Sequence, residues 1–183
     1  FAQTIFAIRA CSPETSIEVL TPDFGGDSSS LKTVLNATPE VFGHNIETVE
    51  RLHPLLRDRR SNYSVSLEVL ASARALGTKC IVKSGLMLGC GETEAEVRQT
   101  LWDLRDAGCQ AVTLGQYLQP TANHFPVAAF IPPDQFSAYE AMAYELGFAF
   151  AVAGPFVRSS YRSEELFSAL HAHKNELGAR HAV

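Results

Sequence analysis

The chain has 183 residues, of which 46% are hydrophobic and 19% are charged, and its formal net charge is −5. These values are typical of one globular domain with its own core. The negative charge, without a dense run of lysine and arginine, argues against a nucleic-acid surface, and no apolar stretch approaches the roughly 20 residues of a membrane span. The sequence therefore predicts no nucleic-acid partner and no membrane partner, and it contains no visible signal or transit peptide.

Hydrophobic periodicity, together with glycine and proline breaks, divides the chain into alternating helices and strands. Helices are predicted at residues 1–10, 31–37, 64–76, 93–107 and 133–146, and strands at residues 16–20, 41–45, 80–88, 111–114 and 148–152. Gly77 is expected to cap a helix C-terminus. A polar helical tail is predicted from residue 162, so the domain is placed at residues 1–161 and the tail at residues 162–183. The chain opens inside an amphipathic helix, which predicts a piece of a longer protein.

Strands that alternate with helices of ten to fifteen residues predict a parallel sheet with right-handed crossovers. A partial α/β barrel fits this order best, and a doubly wound open sheet is the second possibility. In both folds the ligand site is formed by polar residues at the carboxyl ends of the strands. That rule selects Asp23, residues 44–47, residues 83–92 and residues 116–119.

Residues 80–92 form an apolar strand, a turn with two glycines and the acidic start of a helix. Alternation places Lys83, Gly85 and Met87 on one face of the strand. A lysine beside a glycine on an inward face predicts a lined cavity, because burying an unpaired ammonium is costly. Gly85 has no side chain, so a flat ligand has room against the backbone there. The alternative is a barrel strand whose glycines only turn the corner.

Two further strand ends carry polar side chains. Asn45 and Glu47 are two residues apart and can face one cavity, where a carboxylate that accepts two hydroxyl donors suits a ribose diol. The alternative is a loop that these two residues cap. Gln116 and Tyr117 place an amide and a phenol at the next strand end, either to bind a ligand or to satisfy a buried turn. His124 is a candidate for acid or base chemistry, although a lone histidine is more often structural.

The four cysteines do not form a metal-binding motif. Cys11, Cys80, Cys90 and Cys109 show neither a CxxC nor a CxxxCxxC spacing. The sequence alone therefore favours reduced core thiols over a metal or cluster site.

Several stretches, taken in order, resemble the lipoyl synthase family of radical S-adenosylmethionine (SAM) enzymes. Each stretch alone is weak, but the ordered set is specific, and the RSSY ending is the most specific part of it. The resemblance covers about the C-terminal two thirds of the family's chain. The matching stretches are HNIETV at 44–49, Tyr63 with Ser66 and Leu67, residues 83–92, LGQYLQP at 114–120, His124 with PV at 126–127, LGF at 146–148 and GPFVRSSY at 154–161.

The resemblance implies a partial (β/α)6 barrel of the radical SAM type that is incomplete at its N-terminus. It implies the insertion of two sulfur atoms at C6 and C8 of a protein-bound octanoyl-lysine, with SAM and two [4Fe–4S] clusters as cofactors. The implied partners are octanoylated lipoyl-carrier domains (2-oxoacid dehydrogenase E2 subunits and the glycine cleavage H protein) and an electron donor such as ferredoxin or flavodoxin. The implied compartment is the cytoplasm in a bacterium, and the mitochondrial matrix or a plastid in a eukaryote.

The resemblance also assigns roles to residues of the SAM site. Residues 85–92, including Gly85 and Met87, match an element that backs the adenine of SAM. Asn45 and Glu47 match the residues that contact its ribose.

Four further residues are assigned to cofactor binding. By similarity to biotin synthase, Ser66 and Lys83 fall near the SAM carboxylate. Gln116 and Tyr117 are expected to contact the cofactor from the next strand end.

Ser160 matches a ligand of the auxiliary cluster. We expect residues 157–161 to leave the last strand in extended form, so that only one of Ser159 and Ser160 faces the barrel mouth. The resemblance selects Ser160.

The sequence departs from the family in its cysteines. The family's two sets, CxxxxCxxxxxC and CxxxCxxC, do not occur in these 183 residues. We therefore expect a C-terminal portion of a longer enzyme that is inactive alone. Two alternatives stay open: another radical SAM sulfur-inserting enzyme of the biotin synthase type, against which the RSSY ending argues, and a non-catalytic module that binds lipoyl-carrier domains.

Overall fold

The computed structural model describes residues 1–76 and 80–168. The predicted helices and strands within these ranges are present, with bounds shifted by a few residues. Gly77 and residues 169–183 of the predicted tail lie outside the described residues. The elements are α1 (Ala2–Cys11), β1 (Glu18–Leu20), α2 (Ser28–Leu35), β2 (Val41–Gly43), α3 (His53–Leu56), α4 (Tyr63–Ala75), β3 (Ile81–Leu88), α5 (Glu94–Asp106), β4 (Ala111–Gln116), α6 (Pro133–Glu145) and β5 (Phe150–Gly154).

One shifted boundary has a clear local cause. The strand predicted from residue 148 begins at Phe150, because the residues that cap the C-terminus of α6 extend to Phe148. Gly147 has a φ of +89°, and its N–H donates to Tyr144 O at 2.9 Å. The Phe148 N–H donates to Ala143 O at 3.1 Å. This glycine-terminated helix end uses the residues that the hydrophobic pattern assigned to the strand.

The five described strands form one parallel sheet in the order β1-β2-β3-β4-β5. Each strand is joined to the next through at least one helix. A doubly wound sheet reverses its strand order at a switch point, whereas a barrel keeps neighbouring strands consecutive. The consecutive order therefore confirms the predicted α/β fold, a partial barrel.

The sheet has a helix-covered face and an inward face. Leu86 and Leu88 of β3 share the larger core cluster with Leu101 and Leu104 of α5. The inward face carries a second cluster of buried residues, contributed by the strands and by the segment after β5. Its members are Val41, Ile81, Ala111, Phe150, Val152, Val157 and Leu166. Among the described residues, no helix has both the length and the apolar character needed to cross a bilayer.

A buried ion pair lies on the inward face below Gly85. Lys83 Nζ is 2.8 Å from Glu18 Oε1, and the Lys83 side chain is only 3% exposed. Glu18 Oε2 is buried and has no hydrogen-bond partner. The Lys83 ammonium is therefore compensated by a carboxylate on β1, two strands away in the sheet.

We expect Lys83→Met to lower the free energy of unfolding by about 3 kcal/mol, because it leaves a largely buried carboxylate without its counter-ion. The double variant Glu18→Gln/Lys83→Met should lose less stability than Lys83→Met alone, since it removes that unpaired charge. Urea-induced unfolding followed by circular dichroism measures both. A double variant that is less stable than the single variant would contradict the pair's electrostatic role.

Candidate functional site

A cavity of about 550 Å³ opens at the carboxyl ends of β2, β3 and β4. This is the end of the sheet at which ligand sites occur in parallel α/β folds. Its polar and charged lining comes from several strand ends, and its apolar lining comes mainly from the loops. The lining residues are Asn45, Glu47, Leu55, Leu56, Gly85, Leu86, Met87, Thr113, Gly115, Gln116, Tyr117, Leu118, Pro120, Asn123, His124, Phe125, Val157, Arg158 and Ser159.

Glu47 is held at the cavity by hydrogen bonds of its backbone. Its N–H donates to Gly85 O at 3.0 Å, and its carbonyl accepts from Met87 N at 2.8 Å. These bonds impose a φ of +69°, which is uncommon for a residue with a side chain. The carboxylate, whose nearest cation is Arg57 Nη1 at 4.0 Å, forms no hydrogen bond with the described residues. It therefore presents free acceptors to the cavity.

Asn45 lies against β3 because residue 85 is a glycine. A Cβ atom at Gly85 would lie 2.8 Å from Asn45 Oδ1 and 3.1 Å from Thr113 Oγ1. Any larger residue would push the Asn45 amide out of its position. The space beside Gly85, expected from the sequence to take a flat ligand, is thus partly filled by Asn45, and both residues line the cavity.

The turn after β3 is closed by Glu92. Its carboxylate accepts from Gly89 N at 2.5 Å and from Cys90 N at 2.8 Å. Gly89 and Gly91 have φ values of +96° and +97°, the left-handed region that favours glycine. Glu92 therefore shapes the turn, while Gly85 and Met87 of the same predicted element face the cavity.

Gln116 and Tyr117 line the cavity but direct their polar groups to the backbone of the following loop. Gln116 Nε2 donates to Tyr117 O and to Ala129 O, both at 3.0 Å, and its Oε1 accepts from Ile131 N at 2.9 Å. The Tyr117 hydroxyl donates to Phe125 O at 2.7 Å. Both residues thus hold the loop over the cavity, and any contact with a cofactor would come from their apolar surfaces.

Ser66 does not line the cavity. It is fully buried, and its hydroxyl is 3.0 Å from His44 Nε2. His44 Nδ1 lies 2.9 Å from Thr21 O, a group that only accepts, so Nδ1 carries the proton and Nε2 accepts from Ser66. Because burial lowers the pKa of His44, the ring is neutral near pH 7. The Ser66 hydroxyl therefore donates its proton to His44, and the placement of Ser66 near the SAM carboxylate stays a prediction.

Lys83 is also occupied elsewhere, since its ammonium pairs with Glu18 in the barrel interior and does not line the cavity. Arg57 is the cation that the sequence analysis missed. Its guanidinium lies 4.0 Å from Glu47, and its Nε is buried without a hydrogen-bond partner. Leu55 and Leu56, just before it, line the cavity. Arg57 itself does not line the cavity, but it is the cation nearest to Glu47, while the assignment of Lys83 to the SAM carboxylate stays a prediction.

The segment after β5 turns where an extended chain was expected. Tyr161 N donates to Arg158 O at 2.9 Å, and residues 159–162 are in turns. The prediction of an extended segment is therefore wrong, and side-chain alternation does not separate Ser159 from Ser160. Ser159 lines the cavity and Ser160 is exposed beside it. The role of Ser160 as a cluster ligand stays a prediction.

The residues that the structure describes do not supply a ligand set for a metal cluster. No group of three His, Cys, Asp or Glu residues among them is arranged to hold a metal ion. The four cysteines form no disulfide, and three of them are buried. Burial raises the pKa of both the Cys90 and the Cys109 thiol to about 12, which disfavours the thiolate form that binds metals.

Comparison with known proteins assigns the chain to a class. The sequence profile of the radical SAM superfamily matches residues 1–104, so the chain belongs to that superfamily. Within it, the chain is similar to lipoyl synthases. It is 52% identical to the lipoyl synthase of Thermus thermophilus over 91% of its own length, and 46% identical to the mitochondrial lipoyl synthase of Drosophila willistoni over 91%. These matches confirm the resemblance found in the sequence.

The chain spans 52% and 45% of these two relatives, which is less than the two thirds estimated from the sequence. Among solved structures, the HMG-CoA lyase of Brucella melitensis has a TM-score of 0.52 and 15% identity, and the match covers 81% of this chain and 49% of that one. At this identity the likeness concerns the fold alone.

Burial lowers the pKa of His44 and of His53, so the folded protein binds protons at these rings less readily than the unfolded chain does. The ordinary pKa of histidine is about 6.5, so we expect full stability above that pH and a falling free energy of unfolding as the pH drops below it. His44→Gln should make the decline shallower, because the amide does not titrate in this range. Urea unfolding between about pH 5 and about pH 8, a range that spans the ordinary histidine pKa, measures this pH dependence of the free energy of unfolding. An unchanged pH dependence in His44→Gln would contradict it.

Proposed function

We propose that this chain is the cavity-forming portion of a lipoyl synthase. The complete enzyme would insert two sulfur atoms at C6 and C8 of a protein-bound octanoyl-lysine. One observation carries the proposal: Asn45 and Glu47 line a cavity at the strand ends, in a chain 52% identical to a lipoyl synthase. Membership of the radical SAM superfamily supports an enzyme that uses SAM and an iron–sulfur centre.

The residues around the cavity fit SAM. The free Glu47 carboxylate can accept hydrogen bonds from both ribose hydroxyls, and bonds of this charge-assisted kind are strong. Asn45 adds a donor and an acceptor beside it, while Gly85 and Met87 offer an apolar surface for the adenine. Arg57 would receive the carboxylate. When bound and reduced, SAM supplies the radical that activates C–H bonds; the residues named here bind and orient it.

The apolar part of the cavity suits an aliphatic chain. Leu55, Leu118, Phe125 and Val157 line it, and Leu55 and Leu118 are also more than half exposed at its opening. An octanoyl group that enters from a carrier domain would bury these side chains. We therefore propose octanoylated lipoyl-carrier domains as the macromolecular partners, with a ferredoxin or flavodoxin as the electron donor.

The two [4Fe–4S] clusters belong to the proposal for the complete enzyme. The described residues offer only Ser160 as an expected ligand, and the buried thiols do not fit such a group. We therefore expect the isolated chain to bind no stoichiometric cluster and to be inactive. We propose the cytoplasm as the compartment if the chain is bacterial, and the mitochondrial matrix or a plastid if it is eukaryotic, because one relative is bacterial and another is mitochondrial.

The direct test supplies the full-length enzyme that contains this chain with SAM, a reductant and an octanoyl-lysine peptide. We expect mass spectrometry to find the peptide heavier by two inserted sulfur atoms. The same peptide with a butanoyl group, which lacks C6 and C8, is the matched control and should stay unmodified. An octanoyl peptide that stays unmodified while 5′-deoxyadenosine is formed would contradict sulfur insertion and leave only SAM cleavage.

The contacts to SAM can be separated with two cofactor analogues. S-adenosylhomocysteine carries the carboxylate, whereas 5′-methylthioadenosine lacks it but keeps the ribose. We expect Arg57→Gln to weaken the binding of S-adenosylhomocysteine by about tenfold or more, because a hydrogen bond to a charged group contributes about 1.5–3 kcal/mol. The binding of 5′-methylthioadenosine should stay unchanged. Glu47→Gln should weaken both by a similar factor. Isothermal titration of the full-length enzyme gives the Kd values, and equal losses for both analogues in Arg57→Gln would remove Arg57 from the carboxylate site.

A further inference from the structure

Two buried apolar residues hold the polar segment that follows β5. Val157 is 5% exposed and Leu166 is fully buried, and both belong to the inward-facing core cluster. Residues 158–165 between them are exposed or half-buried. We call residues 157–166 the anchored loop, because its two ends lie in the barrel interior and its middle lies at the surface.

The first anchor depends on two glycines. A Cβ atom at Gly115 of β4 would collide with the carbonyl oxygen of Val157, and one at Gly154 would lie 3.3 Å from Val157 Cγ2. The Val157 N–H donates to Gly154 O at 3.1 Å. The backbone of Val157 thus lies directly on β4 and β5, at a distance that only glycine allows.

The second anchor comes from a part of the chain whose composition predicts a solvated tail. Residues 163–168 are helical, and Leu166 N donates to Arg162 O at 3.1 Å. The Leu166 side chain points away from the polar residues around it and joins a cluster that contains residues of β2, β3, β4 and β5. Leu166 therefore fastens the far end of the loop to the same interior that holds Val157.

Among the described residues, the middle of the loop forms hydrogen bonds only within the loop, and Arg158 Nη1 donates to the anchor carbonyl Val157 O at 2.7 Å. Tyr161 N donates to Arg158 O at 2.9 Å, and Ser163 Oγ donates to Ser160 O at 2.6 Å. Solvent-exposed bonds of this kind open easily and do not tie the loop to the barrel. The position of Arg158 and Ser159 on the cavity wall therefore depends on the two buried ends.

We propose that Leu166 is a positioning residue for the cavity, because its burial fixes Arg158 and Ser159 on the cavity wall and Ser160 beside them. This role rests on the function proposed above. The anchored loop forms the β5 side of the cavity, whereas Asn45 and Glu47 follow β2. Loosening the loop should therefore impair use of the acyl substrate and spare the binding of the SAM analogue.

The test compares Leu166→Ala with Leu104→Ala in the full-length enzyme. Leu104 is equally buried, but it lies on α5 in the helix-facing cluster. Both variants should lose stability through a core cavity. Only Leu166→Ala should speed amide hydrogen exchange at residues 158–165 by about tenfold or more. It should also raise KM for the octanoyl peptide, while Kd for S-adenosylhomocysteine stays within about twofold. Leu166→Met should restore both the exchange rates and KM.

Three results would overturn the proposal: unchanged exchange at residues 158–165 in Leu166→Ala, equal acceleration there in Leu104→Ala, or a KM that stays at the parent's value. If Leu166→Ala does not fold, Leu166→Val gives the same comparison with a smaller cavity. A parent enzyme that inserts no sulfur would refute the proposed function. The hydrogen-exchange comparison does not use turnover, so it separates that failure from a failure of the anchor.

Discussion

The geometry of the site depends on the two hydrogen bonds that join Glu47 to β3. β2 ends at Gly43, but the chain stays close to β3: His44 N donates to Lys83 O at 3.1 Å, Ile46 N donates to Ser84 Oγ at 3.0 Å, and Glu47 then pairs with the backbone around Leu86. This pairing forces Glu47 into a left-handed conformation, which costs of order 1 kcal/mol and persists only because the surroundings require it. That conformation directs the carboxylate into the cavity. Without the backbone bonds, neither the side chain's direction nor its distance from Asn45 would be defined.

The residues between Gly43 and Glu47 are supported by a buried polar chain. His44 connects the carbonyl after β1 to the start of α4 through Thr21 and Ser66. A neutral imidazole can do this because it donates from one nitrogen and accepts at the other. Buried polar groups that are fully bonded specify one arrangement, since any slip leaves an unpaired donor or acceptor. Asn45 and Glu47 are thus held on one side by the buried hydrogen bonds of His44 and on the other side by the backbone of β3.

The sequence was sufficient to predict the parallel α/β order, because hydrophobic alternation and glycine-terminated helices are local signals. It also predicted that Asn45, Glu47, Gly85 and Met87 share one cavity, because the carboxyl ends of parallel strands meet. The ion pair of Lys83 was not predicted because its partner, Glu18, lies 65 residues earlier, and no spacing rule connects them.

The other differences have the same origin. The hydrogen bond from Ser66 to His44 could not be predicted, because His44 lies 22 residues away and is itself oriented by a hydrogen bond to Thr21. Arg57 was not predicted because no spacing rule connects it with Glu47. Leu166 was hidden in a polar tail, where one apolar residue gives no periodic signal.

The raised pKa values of Cys90 and Cys109 have a consequence for the loading of metal. With a pKa raised to about 12 by burial, both thiols are almost entirely protonated at neutral pH. Iron is captured by thiolates, so these two sulfurs compete poorly with an ordinary exposed cysteine while a cluster is being assembled. An enzyme of this class must direct iron and sulfide to a few chosen cysteines. Because Cys90 and Cys109 are buried and protonated, they do not divert iron from those cysteines.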